Sequence, residues 1–184
     1  QPQVAWALLQ QAKQDDPQAP RPLVEAAKLA LVMGNHADAA ALFTTLQQLG
    51  GDWIALLAQD FAQAWNSPEN SLKTHINLPE QLLKTYQENP NIDVLEAWIA
   101  VSPHSDMAAG GAAAAYFTHL QHQASLVAAT RWLEAKAQAK DALMPQEVMR
   151  ALQKTATPLL RYRCTACGFE GQRHYWHCPG CQAW

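Results

Sequence analysis

LVEAAKLALVMGNHADAAALFTTL, residues 23–46, reads as two short helices folded back on each other at a glycine. Ala and Leu dominate, and apolar residues recur every three or four positions, the spacing of one helical face. Leu23, Ala27 and Ala30 share a stripe on the first helix, and Ala39, Phe43 and Leu46 share one on the second. Gly34 falls between them, where the chain needs a turn that a Cβ would oppose. Asp16-Pro17 closes the preceding segment, so residues 1–16 read as an earlier second helix, with Ala5, Leu9 and Ala12 on its packing side.

Outward from this hairpin, a 34-residue period organises residues 1–50 and then loosens. Asp52 can cap a helix over Trp53–Trp65, and Pro68 interrupts the chain before a broken second element. Leu78-Pro79 opens a helix to about Glu88, with proline in the first turn, where its missing N–H costs nothing. Further hairpins are expected at Asp93–Val101 with Asp106–Gln123, turning at Pro103, and at Ser125–Gln138 with Pro145–Lys154. Gly110-Gly111 should weaken the start of one helix, and Pro158 should end the helical region. The hairpins resemble tetratricopeptide repeats. In such an array Leu23, Ala27, Ala30 and the equivalents near Leu57 would lie toward a concave face, leaving room for a partner segment. A helix that begins in mid-repeat predicts further sequence upstream.

The tail changes character. The chain's four cysteines all lie in its last 21 residues, as Cys164-Thr-Ala-Cys167-Gly168 and Cys178-Pro179-Gly180-Cys181. Two C-x-x-C turns facing each other supply four thiolates in a tetrahedron, the donor set of a closed structural metal site. Cys164, Cys167, Cys178 and Cys181 are therefore the candidate ligands of one metal ion, the alternatives being a redox dithiol pair or an extracellular disulfide staple. Four thiolates accept zinc or iron, and zinc is favoured. Thiols kept for a metal point to a reducing compartment. Tyr162, Phe169, Tyr175, Trp176 and Trp184 add aromatic area that so small a ribbon cannot bury alone, which predicts docking on the last helices.

Composition narrows the function. The 184 residues carry a net charge of -3, falling to about -5 with four thiolates and a divalent ion. A general nucleic-acid surface needs a basic excess instead. The longest nearly uncharged apolar run, Met107–Phe117, is too short to span a bilayer. No glycine-rich phosphate loop and no Ser-His-Asp arrangement is present, so no catalytic residue is assigned. His119-x-x-His122 reads as a solvated helix face, His174 as a surface residue, and His177 as a neighbour of the site rather than a ligand. Trp6, Trp53, Trp65, Trp98 and Trp132 read as packing, and Arg161, Arg163 and Arg173 as moderators of a dianionic metal centre.

Tyr162-x-Cys164-x-x-Cys167-Gly168-Phe169 with Cys178-Pro179-x-Cys181 resembles the knuckles of rubredoxins, although rubredoxins space them further apart and carry Gly where this chain has Gln182. Tyr175-Trp176-His177-Cys178-Pro179 and the closing Cys181-Gln182-Ala183-Trp184 look instead like the tail of the lipopolysaccharide assembly protein B family. That resemblance implies an all-α tetratricopeptide-like hairpin array over residues 1–158 and a rubredoxin-like, zinc-ribbon domain over 159–184. It further implies a non-enzymatic adaptor on the cytoplasmic side of the inner membrane, anchored by an N-terminal helix absent from this chain. The implied partners are the membrane protease FtsH, the LpxC deacetylase and the lipopolysaccharide machinery, with no nucleic acid and a possible homodimer. The alternatives are a rubredoxin-like electron carrier and a zinc-ribbon nucleic-acid module.

Overall fold

The structure is a computed structural model that describes residues 1–68, 71–102, 111–137 and 146–184. Among these residues the chain is helical throughout, except for a small ribbon at the C-terminal end. The helices are α1 (Pro2–Asp15), α2 (Pro20–Val32), α3 (His36–Leu49), α4 (Ala58–Trp65), α5 (Leu78–Glu88) and α6 (Ile92–Val101). They continue with α7 (Gly111–His122), α8 (Leu126–Ala137) and α9 (Gln146–Ala156). Two two-residue strands, β1 (Tyr162–Arg163) and β2 (Glu170–Gly171), pair antiparallel. The chain separates after Ser102 into two compact units.

The hairpin at residues 23–46 forms as its sequence dictates. Gly34 adopts φ +71°. The Asn35 N–H donates to Ala30 O and the Gly34 N–H to Leu31 O, which terminates α2 and satisfies carbonyls the helix would leave open. Leu23, Ala27, Ala30, Ala39, Phe43 and Leu46 are all fully buried. This corrects the expectation that Leu23, Ala27 and Ala30 line a partner groove, and Leu57 is equally inaccessible. Small residues at these positions let helices approach closely, so the space they leave is filled by the protein itself. The inner face of this unit centres on Phe43 and Phe61, whose ring centroids are 4.8 Å apart.

The period persists further than sequence alone indicates. α1 and α3 start 34 residues apart, and α4, α6 and α8 start at residues 58, 92 and 126, 34 apart each time. Three side-chain amides bridge the same interval: Gln47 Nε2 to Gln81 O, Gln59 Nε2 to Asp93 O and Asn66 Nδ2 to Ala100 O. Among the described residues the disturbance falls between α3 and α5. Residues 52–56 form a 3-10 turn ahead of a short α4, and a second 3-10 turn at Leu72–Thr74 lengthens the path to α5. The helix expected over Trp53–Trp65 is therefore split near Leu57. The Pro103 turn and Gly110 lie outside the described residues. After α9 a 3-10 turn spans Thr157–Leu160 and carries the chain to β1.

Candidate metal centre

Both knuckles are built by the same backbone pattern. In the first, Gly168 N–H donates to Cys164 O and Cys164 N–H to Phe169 O, each at 2.9 Å. In the second, Gln182 N–H donates to Cys178 O and Cys178 N–H to Ala183 O, again at 2.9 Å. Such a turn needs its fifth residue in the left-handed region. Gly168 sits there at φ +75° without cost, and Gln182 sits there at φ +60° as the chain's non-glycine exception among described residues.

These turns bring all four Sγ atoms within 4.8 Å of one another. Two pairs run between knuckles at close range, Cys164 to Cys181 at 3.7 Å and Cys167 to Cys178 at 3.6 Å. A tetrahedron with metal–sulfur bonds of about 2.3 Å has edges of about 3.8 Å. The donor set thus fits one tetrahedral ion, and it fills every coordination position. The four cysteines are positioned to bind one metal ion in a rubredoxin-like ribbon. The sulfurs differ electrostatically. The Cys181 backbone N–H, against partial burial and with help from Gly180 N–H and the neighbouring thiols, brings Cys178 down to about 6. At Cys167 the Phe169 backbone N–H pulls downward, but Cys181, desolvation, Cys178 and Cys164 together push it up to about 12. Four thiols this close cannot all ionise unless a cation joins them.

The knuckles rest on each other. A Cβ on Gly180 would stand 3.4 Å from Phe169 and 3.6 Å from Cys167 Sγ. The tail's rings pair internally: Phe169 with Tyr175, His174 with both Tyr162 and Trp176, and His177 with Trp184. His174 is therefore a half-buried spacer between two aromatics, not the surface residue expected. Tyr162, Phe169 and Tyr175 remain more than a third exposed and Trp184 83% exposed, so docking on the helices does not bury these four rings. Arg161 and Arg163 approach Glu170 at 3.5 and 3.7 Å, and Arg173 lies over Tyr175. His119 departs from its expected solvated face: it is 1% exposed in α7, while His122 is exposed. Burial first, and the nearby His122 second, lower its pKa. The five helical tryptophans are all half-buried, as packing residues would be.

Residues 162–184 match the family model described as a rubredoxin metal binding domain. Over its C-terminal 46 residues the chain is 46% identical to lipopolysaccharide assembly protein B of Escherichia coli K12. Its C-terminal residues are thus similar to the metal-binding domain of lipopolysaccharide assembly protein B. The same protein in strains O6:H1 and O157:H7 matches equally, over 25% of this chain and 11% of each relative's length. The aligned stretch is thus a small part of those relatives. Among the described residues, no helix is long and apolar enough to cross a membrane.

The unequal knuckles give a direct expectation. Gly168→Ala should lower the stability of the metal-loaded tail by about 1 kcal/mol, since its backbone conformation opposes any Cβ. The space itself is open, the nearest atom being Arg163 Nε at 4.0 Å. Gln182→Gly should be within about 0.5 kcal/mol of neutral, strain relief offsetting the freer unfolded chain. Tail tryptophan fluorescence in denaturant measures both, and equal losses at the two positions would refute the equivalence of the turns.

Proposed function

We propose that this chain is a non-enzymatic adaptor in the regulation of lipopolysaccharide synthesis, and that Cys164, Cys167, Cys178 and Cys181 hold a single structural metal ion, zinc in preference to iron. The observation that carries this reading is the four-sulfur cage, whose closed donor set leaves no position for a substrate. The name of the relatives, lipopolysaccharide assembly protein B, supports the pathway. The persistent 34-residue period supports tetratricopeptide repeats over residues 1–158, with the metal domain over 159–184, and helical arrays of that kind serve as partner scaffolds. On this reading the partners are the LpxC deacetylase and the membrane protease FtsH, brought together at the cytoplasmic side of the inner membrane. An N-terminal membrane helix in the intact protein would raise the effective concentration of adaptor and protease.

The test is the lifetime of the deacetylase in cells carrying the protein with its membrane anchor, without it, or not at all. The anchored form should restore normal degradation and the anchor-less form at equal abundance should not. An unchanged lifetime with the anchored form refutes the adaptor reading. Exposure of Cys167 and Cys181 favours a second reading, an iron-bearing electron carrier. Replacing iron by zinc would abolish activity on that reading and preserve it on the first.

A further inference from the structure

The cage's sulfurs differ in exposure, which a structural metal site does not require. Each short sulfur pair joins the two knuckles and combines one exposed thiol with one sheltered thiol. Cys181 is exposed and lies 3.7 Å from the half-buried Cys164; Cys167 is exposed and lies 3.6 Å from the buried Cys178. An accessible sulfur beside a protected one is the arrangement of an attacking and a resolving cysteine. Phe169 lies beside Gly180, where an added Cβ would stand 3.4 Å from it.

We propose that the ribbon is a peroxide-sensitive site in which oxidation forms two disulfides between the knuckles, Cys164–Cys181 and Cys167–Cys178, and expels the metal. This rests on the four cysteines being the metal ligands. The chemistry is closed. The exposed thiolate of Cys181 attacks hydrogen peroxide and breaks its O–O bond, giving a sulfenic acid and, with one proton, water. The Cys164 thiolate then attacks that sulfur and displaces hydroxide, which takes up a second proton as the disulfide forms. Cys167 and Cys178 repeat the sequence with a second peroxide. Each sulfur pair loses two electrons and each peroxide gains two, so about two equivalents of peroxide release one dication. Sulfurs must close from 3.6–3.7 Å to about 2.05 Å. That shift draws the knuckles together without reversing either turn.

The chain itself provides the assay. Cleavage after Arg163 and Arg173 separates Cys164 and Cys167 on one peptide from Cys178 and Cys181 on the other. The full chain is loaded with zinc, so that every electron lost comes from sulfur, and titrated with hydrogen peroxide. Released metal is followed with a chromogenic chelator, and the non-reduced digest is mapped by mass spectrometry. The expected result is zinc release complete at about two equivalents, with the two peptides linked through Cys164–Cys181 and Cys167–Cys178. Dithiothreitol and zinc should then restore the starting spectrum. Unlinked peptides with C-x-x-C disulfides, the opposite cross-pairing, or sulfonic acids without disulfides would each overturn the proposal. A chain shown by elemental analysis to take up no zinc while folded would instead sink the metal reading beneath it.

Discussion

Stripping the metal from the loaded chain with a strong chelator should unfold residues 162–184 and leave the helices of the first unit standing. The tail has two strands of two residues each, and Cys178 is its one buried side chain. An apolar core of that size cannot offset the conformational entropy of ordering the segment. Structural zinc in comparable small domains contributes about 10–16 kcal/mol of apparent binding energy, which becomes folding energy. Near-ultraviolet circular dichroism should lose the signal of Trp176 and Trp184, while far-ultraviolet helicity stays largely in place. Cys164→Ser should reproduce the loss. Acid should act in the same direction, because a thiol ligates only as its thiolate. A bound cation would hold all four thiols ionised well below their free values, so protons displace it only as the pH falls. A depressed thiol pKa stabilises the site above the unfolded value and loses that contribution as pH falls through the folded one. A tail that keeps its amide dispersion after chelation would refute the structural role.

Phe61→Ala should cost the first unit about 3–5 kcal/mol, a large part of the 5–15 kcal/mol that holds a typical domain together. Phe61 is fully buried on α4, a helix of only eight residues, and its ring meets Phe43 on α3. Truncation removes both the transferred apolar area and the tilted ring contact. A helix so short has little propensity of its own to fall back on. By contrast Val4→Ala, at a position 54% exposed on α1, should change stability by less than about 0.5 kcal/mol. Urea unfolding monitored by helicity compares the two, and a loss below about 1 kcal/mol for Phe61→Ala would contradict the packing described.

The clustering of the four sulfurs was legible in the sequence because the donor chemistry is local. Two residues between thiols fix a knuckle, and the backbone of each turn is decided within six residues. The departure at Gln182 was visible too, and the structure gives its meaning: Gln182 occupies the place of Gly168. His174 was misread because nothing in the sequence announces that the distant Tyr162 closes on it along with its chain neighbour Trp176. His119 was misread as solvated because the polar spacing His119-x-x-His122 is the same whether a neighbouring helix covers one ring or not.

The helical region divides in the same way. Composition, the apolar stripes and Gly34 determined by themselves that α2 and α3 form a hairpin, since 3.6-residue periodicity and a left-handed glycine act within the chain's own neighbourhood. They could not determine which face was left for solvent. Leu23, Ala27 and Ala30 suit either a groove or a core, and only the packing of other helices against them decided for the core. The continued 34-residue spacing of α4, α6 and α8 was likewise hidden, because an irregular stretch with two 3-10 turns breaks the pattern along the chain. Its reappearance rests on amides such as Gln59 and Asn66 reaching backbone carbonyls 34 residues away. Local turn chemistry is written in consecutive residues, whereas burial and long-range hydrogen bonding exist only once distant segments share the same space.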